Sequence, residues 1–115
     1  MQRDLRAYLS DIEQAGQDIV DFTAGSSLEQ YATNKMMRMA VEREFSIIGE
    51  AIVRARESFP EIMDKIGSAH AIVGIRNRLV HGYETIRDET VWEAIRKSPP
   101  ILLGDVGRLL DRLGR

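Results

Sequence analysis

The segment KMMRMAVEREFSIIGEAIVRARES, residues 35–58, is the longest stretch of the chain with helical periodicity. Its apolar side chains recur at intervals of three and four residues, which places them on one face of an α-helix. These side chains are Met36, Met39, Ala40, Phe45, Ile47, Ile48, Ala51, Ile52 and Ala55. The pattern predicts a central helix with a broad face against the protein core.

Two neighbouring residues inside this helix need their own explanation. Gly49 costs about 1 kcal/mol of helix propensity relative to alanine, so we expect a packing reason such as the close approach of another helix. Glu50 is either a solvated charge or a carboxylate paired with an arginine from another helix. Because buried charges are rare without a partner, the residue type alone favours the solvated charge.

The segments before and after the central helix are also helical in pattern. The apolar spacing over residues 4–22 predicts an amphipathic first helix. Ser27 and Gln30 have the spacing of a capping box, and Thr33 or Asn34 can cap the central helix.

The second half of the chain continues in the same way. Pro60 ends the central helix and can start a short one. Ser68 can cap the next helix. Asp88 can cap a helix over residues 90–97, and Pro99 is expected to start a separate last helix.

The chain shows almost none of the alternation of apolar and polar residues that is typical of strands. A length of 115 residues suits one domain with one core. We therefore predict an all-α fold and a single domain over residues 1–115. The architecture is expected to be an up-and-down bundle of four to five helices with short connections.

Composition limits the class of protein. Cysteine is absent, which excludes disulfides and thiolate metal sites. Residues 1–16 lack the apolar run of a signal peptide, and no window approaches the roughly 18 consecutive apolar residues of a membrane span. We expect a cytoplasmic protein with no membrane partner.

The net charge of −2 argues against a surface that binds nucleic acid by charge alone. Residues 1–60 carry 7 Lys and Arg against 10 Asp and Glu, whereas residues 61–115 carry 9 against 8. An anion-binding site is therefore expected in the second half, although a solvated, salt-bridged surface would give the same difference.

The motif RNRLVHGY, residues 76–83, brings Arg76 and His81 close together in sequence. One interpretation is structural, because positive charge in the last turns of a helix is stabilising and Gly82 is a good C-cap. The spacing of Arg76 and His81 alone favours this structural interpretation. The other is chemical: histidine, with an ordinary pKa of about 6.5, can take and give a proton, while arginine can hold a phosphate. The pair suits metal-free RNA cleavage, in which the 2′-hydroxyl attacks the adjacent phosphorus.

Helical geometry restricts this chemistry. Arg76 and His81 are five residues apart, so on an ideal helix they point about 140° away from each other. We therefore predict a helix that ends at His81 and Gly82, with Asn77 turned towards the imidazole to fix its tautomer. Tyr83 adds a hydroxyl and a stacking ring at the same corner.

The other histidine, His70, lies about 16 Å before His81 along the same helix, so a structural role is favoured over shared chemistry within one protomer. No cluster of carboxylates and histidines has the spacing of metal ligands, and the glycine-rich fingerprints of nucleotide binding are absent. We predict no metal and no cofactor.

Arg76, four residues, His81, Gly82 and Tyr83 together resemble the R-x4-H-x-Y signature of HepT-like proteins in the HEPN ribonuclease superfamily. The stretch AVEREFSIIGEAIVRAR, residues 40–56, is similar to that family's long helix, and GIRNRLVHGY followed by ETVW has the family's order and spacing. The resemblance covers nearly the whole chain. The stretch SAHAIVG before the motif departs from the family pattern, in which an aromatic residue, often Trp, is usual. This departure concerns the local packing.

The resemblance implies a metal-independent endoribonuclease with Arg76 and His81 as catalytic residues and Asn77 as a supporting polar residue. It also implies a homodimer whose two motifs face a shared cleft. The protein would be the toxin of a toxin–antitoxin pair, and Tyr83 would accept AMP from a minimal nucleotidyltransferase antitoxin of the MntA type. The added bulk and phosphate charge would block RNA cleavage.

Two alternatives stay open at this point. The same dimer could be a non-catalytic module that binds RNA or the nucleotidyltransferase. It could also be a substrate or regulatory subunit of the nucleotidyltransferase, with modification of Tyr83 as its whole purpose.

Overall fold

The computed structural model of the protein describes residues 3–81 and 86–115. These residues form six α-helices and no strand: α1 (Leu5–Thr23), α2 (Leu28–Thr33), α3 (Lys35–Ser58), α4 (Ile62–Lys65), α5 (Ala69–His81) and α6 (Asp88–Arg112). The four long helices make up the bundle, and α2 and α4 are short connecting helices. The predicted all-α bundle is confirmed, whereas a single domain over the whole chain stays a prediction.

Helix α3 is the central helix, as its periodicity predicted. It packs against α1 on one side and α5 on another, while α6 packs along α1. The largest fully buried side chains come from several helices and include Leu9, Ile12, Ile19, Phe45, Ile48, Ile52, Ile72 and Leu102. Within each long helix they recur at helical spacing, so burial of one face per helix forms the core.

Local capping was predicted correctly at Ser27 and Asn34 and wrongly at Ser68. Ser27 and Gln30 form the capping box of α2, and the Asn34 side chain caps α3. The backbone carbonyl of Ser68 accepts the first hydrogen bond of α5. Its buried hydroxyl, however, has no hydrogen-bond partner within residues 3–81 and 86–115, so the predicted side-chain cap is wrong.

Helix α6 passes unbroken through Pro99 and Pro100, so the predicted separate last helix is wrong. Each interior proline removes a backbone hydrogen bond and costs about 3 kcal/mol of helix propensity. Ile95 and Leu102 are buried on either side of the prolines. Core packing of both halves of α6 therefore outweighs the local preference to stop. Asp88 is the first residue of α6 rather than its cap.

Some apolar residues that were predicted on the core face of α3 lie on the surface. Met36 is 83% exposed and Met39 is 61% exposed, whereas Val41, two residues later, is fully buried. Periodicity identifies an apolar face but does not show where along the helix the core begins. None of the described helices combines the length and apolarity that crossing a membrane requires.

Candidate active site

Helices α3 and α5 approach closely where Gly49 meets Arg76. A Cβ atom on Gly49 would lie 2.3 Å from the Cβ atom of Arg76 and 2.7 Å from its Cγ atom. The stem of Arg76 therefore occupies space that only a glycine leaves open. The expected packing reason for Gly49 is confirmed.

The close approach lets Arg76 pair with Glu50. Arg76 Nη2 donates a hydrogen bond to Glu50 Oε2, and Glu50 Oε1 accepts another from Arg54 Nε at 2.8 Å. The Arg76 side chain is 21% exposed and that of Glu50 is 38% exposed. The interhelical pair, rather than the favoured solvated charge, is the correct interpretation of Glu50.

Two further atoms of the guanidinium group help to define the site. Arg76 Nη1 donates a hydrogen bond to Asn77 Oδ1 at 2.9 Å, while Arg76 Nε is buried without a hydrogen-bond partner in the described part of the chain. A guanidinium has five N–H donors, so Arg76 keeps donors for an anion. Asn77 thus orients the guanidinium, and the predicted contact with the His81 imidazole is not among the hydrogen bonds of the described residues.

The histidine of the motif lies at the end of α5. The helix is regular up to exposed His81, so the Arg76 and His81 side chains point about 140° apart. The structure therefore does not bring the two together within one chain. The helix was predicted to end at His81 and Gly82. Gly82 and Tyr83 lie outside the described residues. His70, in the first turn of α5, is exposed.

The sequence profile described as Ribonuclease HepT-like matches residues 12–106. The chain belongs to the HepT-like family. A protein of Methanocaldococcus jannaschii named a "putative RNase" is 34% identical to this HepT-like chain over 109 residues, which cover 91% of this chain and 95% of the relative.

Two other relatives come from different organisms. A protein of Caldanaerobacter subterraneus with the same kind of name is 30% identical, with 93% of this chain and 95% of the relative covered. The "probable ribonuclease HepT" of Thermococcus cleftensis is 28% identical, with 95% and 98% covered. No solved structure matches the chain.

In this HepT-like protein, Arg76 lines a cavity of about 430 Å³ between α1, α3 and α5. Glu50, Arg54 and Val80 line the same cavity. Within residues 3–81 and 86–115, no three His, Asp or Glu side chains lie close enough together to hold a metal ion. The chemical groups at this cavity wall include the guanidinium of Arg76 and the carboxylate of Glu50, with the amide of Asn77 beside them.

No motif in the sequence assigns a site role to Gly49 or Glu50. The available signal was a glycine inside a long helix, followed directly by a carboxylate. Those two residue types suggested close packing and an ion pair, but Arg76 is 26 residues from Glu50 in sequence, and only the fold identifies it as the partner.

The substitution Glu50→Gln tests this pair. The hydrogen bond from Arg76, with a smaller contribution from Arg54, holds the pKa of Glu50 below its ordinary value. A carboxyl group of this kind stabilises the fold above its unfolded pKa of about 4.3, and the contribution is lost as the pH falls through the lower folded pKa. We expect Glu50→Gln to lower the free energy of unfolding by about 0.5–1 kcal/mol at pH 7, because solvent screens the pair.

The measurement is urea unfolding of wild type and Glu50→Gln at pH 7 and at a series of values below pH 4. The difference should shrink with falling pH, because the wild-type carboxyl group becomes protonated. Glu57→Gln, at an exposed position on α3, is the control and should stay close to wild type at every pH. A difference that is independent of pH would contradict the assigned ion pair.

Proposed function

We propose that the protein is the toxin of a toxin–antitoxin pair and acts as a metal-independent endoribonuclease. The central observation is Arg76, which Glu50 and Asn77 hold at a cavity wall with N–H donors remaining. In a chain of the HepT-like family, an arginine fixed in this way five residues before an exposed histidine suits cleavage of RNA.

In the proposed reaction, the His81 imidazole removes the proton of an RNA 2′-hydroxyl group, and the 2′ oxygen attacks the adjacent phosphorus. The bond from phosphorus to the 5′ oxygen breaks, and the leaving oxygen receives a proton from the imidazolium. Arg76 binds the phosphate oxygens and stabilises their charge in the transition state. Asn77 supports the reaction by orienting the guanidinium of Arg76.

We propose a homodimer as the active form. Arg76 and His81 of one chain diverge by about 140° on a regular helix, so one chain does not present both groups to one phosphate without a change beyond His81. Two copies whose motifs face a shared cleft would let side chains from both chains reach one phosphate.

Cleavage of a single-stranded RNA in the presence of excess EDTA tests this function. We expect wild type to cleave with the chelator present, and to leave the same sequence uncut when every 2′-hydroxyl is replaced by 2′-O-methyl. The double variant Arg76→Ala/His81→Ala controls for a contaminating nuclease. Loss of cleavage with EDTA would contradict the metal-independent reaction, and cleavage of the methylated strand would contradict attack by the 2′-hydroxyl.

We further propose that Tyr83 accepts AMP from a minimal nucleotidyltransferase antitoxin. This assignment rests on the R-x4-H-x-Y spacing, since Tyr83 lies outside the described residues. A phosphate and an adenosine beside His81 would repel and exclude RNA.

Intact mass measurement after coexpression with a nucleotidyltransferase checks the modification. We expect one AMP group on wild type and none on Tyr83→Phe, and the modified protein should no longer cleave RNA. An unchanged mass of wild type in the presence of an active nucleotidyltransferase would show that Tyr83 is not the switch.

A further inference from the structure

Arg76 shares the wall of its cavity with three more arginines, Arg3, Arg43 and Arg54. We infer that this arginine-lined cavity binds a second phosphate of the RNA strand, with Arg43 as its main ligand. The inference rests on the proposed function, in which Arg76 holds the phosphate that is cleaved.

The charge of the cavity favours an anion. Its lining has four arginines and two carboxylates, Asp11 and Glu50, which gives 4 − 2 = +2, whereas the whole chain carries −2. Three of these arginines come from the first half of the sequence. The proposed site therefore differs from the expectation that an anion site would lie in the second half of the chain.

The pairing of these charges singles out Arg43. Arg3 bonds to Asp11 at 3.0 Å, and Glu50 is shared by Arg54 and Arg76. Both carboxylates are thus already neutralised. Exposed Arg43 is in none of the hydrogen bonds or ion pairs within residues 3–81 and 86–115, and the one carboxylate whose charge it affects, Glu44, does not line the cavity.

The position of Arg43 separates its phosphate from the one at Arg76. Arg43 lies seven residues before Glu50 on α3, about 10 Å along the helix axis. Ser46 lines the cavity one turn from Arg43, and its side chain offers a hydroxyl donor. At about 430 Å³, the cavity lies within the roughly 300–1,000 Å³ range of small-ligand sites.

The chemistry of the lining favours the RNA backbone over the bases. Arginine and hydroxyl groups predominate among its polar groups, and the one aromatic side chain, Tyr8, is buried with Arg3 4.8 Å above its ring. Contacts of this kind position a strand without reading its sequence. We therefore expect the arginine-lined cavity to contribute to RNA affinity irrespective of base sequence.

The test measures binding of a 2′-O-methyl RNA, which the proposed reaction does not cleave, at several salt concentrations. We expect Arg43→Gln to weaken binding about tenfold, as loss of one charge-assisted contact would. It should also lower the slope of log K against log salt by about 0.7, the value for one phosphate on a single strand. Arg43→Lys keeps the charge and should keep the slope.

Arg56→Gln is the matched control. Arg56 is an exposed arginine on the same helix and does not line the cavity, so its removal changes the net charge equally. If Arg43→Gln and Arg56→Gln give the same slope, the inference is overturned. If the two slopes are equal but wild type still cleaves RNA with EDTA present, the second phosphate site is rejected and the proposed function stands. If Arg43→Gln lowers the slope but wild type does not cleave, the phosphate contact is supported and the proposed function fails.

Discussion

Replacing His81 by alanine is expected to lower the rate of RNA cleavage by about 10²- to 10⁴-fold, which is the usual contribution of a general acid or base. Alanine can neither take the proton of the 2′-hydroxyl nor return one to the 5′ oxygen. The measurement is kcat/KM for a short fluorescent RNA at pH 7, together with the affinity for the uncleavable 2′-O-methyl strand. Cleavage should fall, while binding by Arg76 should persist.

The other histidine supplies the control. His70 is exposed in the first turn of α5 and lies about 16 Å from His81 along the helix. His70→Ala should therefore cleave RNA at the wild-type rate. Comparing His81→Ala with His70→Ala separates the catalytic role of His81 from any general effect of losing an imidazole from α5.

The same measurement separates the nuclease from a non-catalytic binding module. A binding module predicts no difference in cleavage between wild type and His81→Ala, although Arg76→Glu would still weaken RNA binding. Equal rates for wild type and His81→Ala would therefore contradict the assignment of His81. If His81→Ala weakened RNA binding as much as it lowered cleavage, His81 would be needed for binding RNA. The assignment of His81 to proton transfer only would then be contradicted.

The fold was predictable where local interactions determine it. The capping box at Ser27 and the cap at Asn34 each depend on atoms within three residues, so sequence spacing is sufficient to find them. The continuation of α6 through Pro99 depends instead on burial of its two halves against other helices. No local rule includes that contribution, and the local rule therefore predicted a helix end that does not exist.

The candidate site divides in the same way. The spacing of Arg76 and His81 alone favoured a structural role, and the resemblance to the HepT-like family is what singled them out as candidate catalytic residues. The contact between Arg76 and Glu50 joins α3 and α5, and it depends on how two helices cross. Asn77 was expected to turn towards the imidazole of His81, whereas its amide oxygen accepts a hydrogen bond from Arg76, whose guanidinium Glu50 also binds.

Substituting alanine for Gly49 is expected to destabilise the protein by about 2 kcal/mol, within the usual range for overpacking a core. The new Cβ atom would lie 2.3 Å from the Cβ atom of Arg76. Cβ atoms move only with their backbone, so α3 and α5 must shift apart. The gain of about 1 kcal/mol in helix propensity offsets only part of this cost.

Gly74→Ala is the matched control on α5, since a Cβ atom on Gly74 would meet nothing within 4 Å. That variant gains helix propensity without a clash, so it should be more stable than wild type by up to about 1 kcal/mol. Urea unfolding at pH 7 compares the two alanines directly. A change in the same direction for both would contradict the close contact between Gly49 and Arg76.

Gly49→Ala should also lower RNA cleavage, although Gly49 itself offers no side chain to the RNA. Gly49 adjoins Glu50, so a shift that relieves the clash moves the guanidinium of Arg76 relative to the carboxylate that holds it. Cleavage should therefore fall under conditions in which the variant is still fully folded, whereas Gly74→Ala should cleave at the wild-type rate. Wild-type cleavage by folded Gly49→Ala would show that the position of Arg76 against α3 does not matter for the reaction.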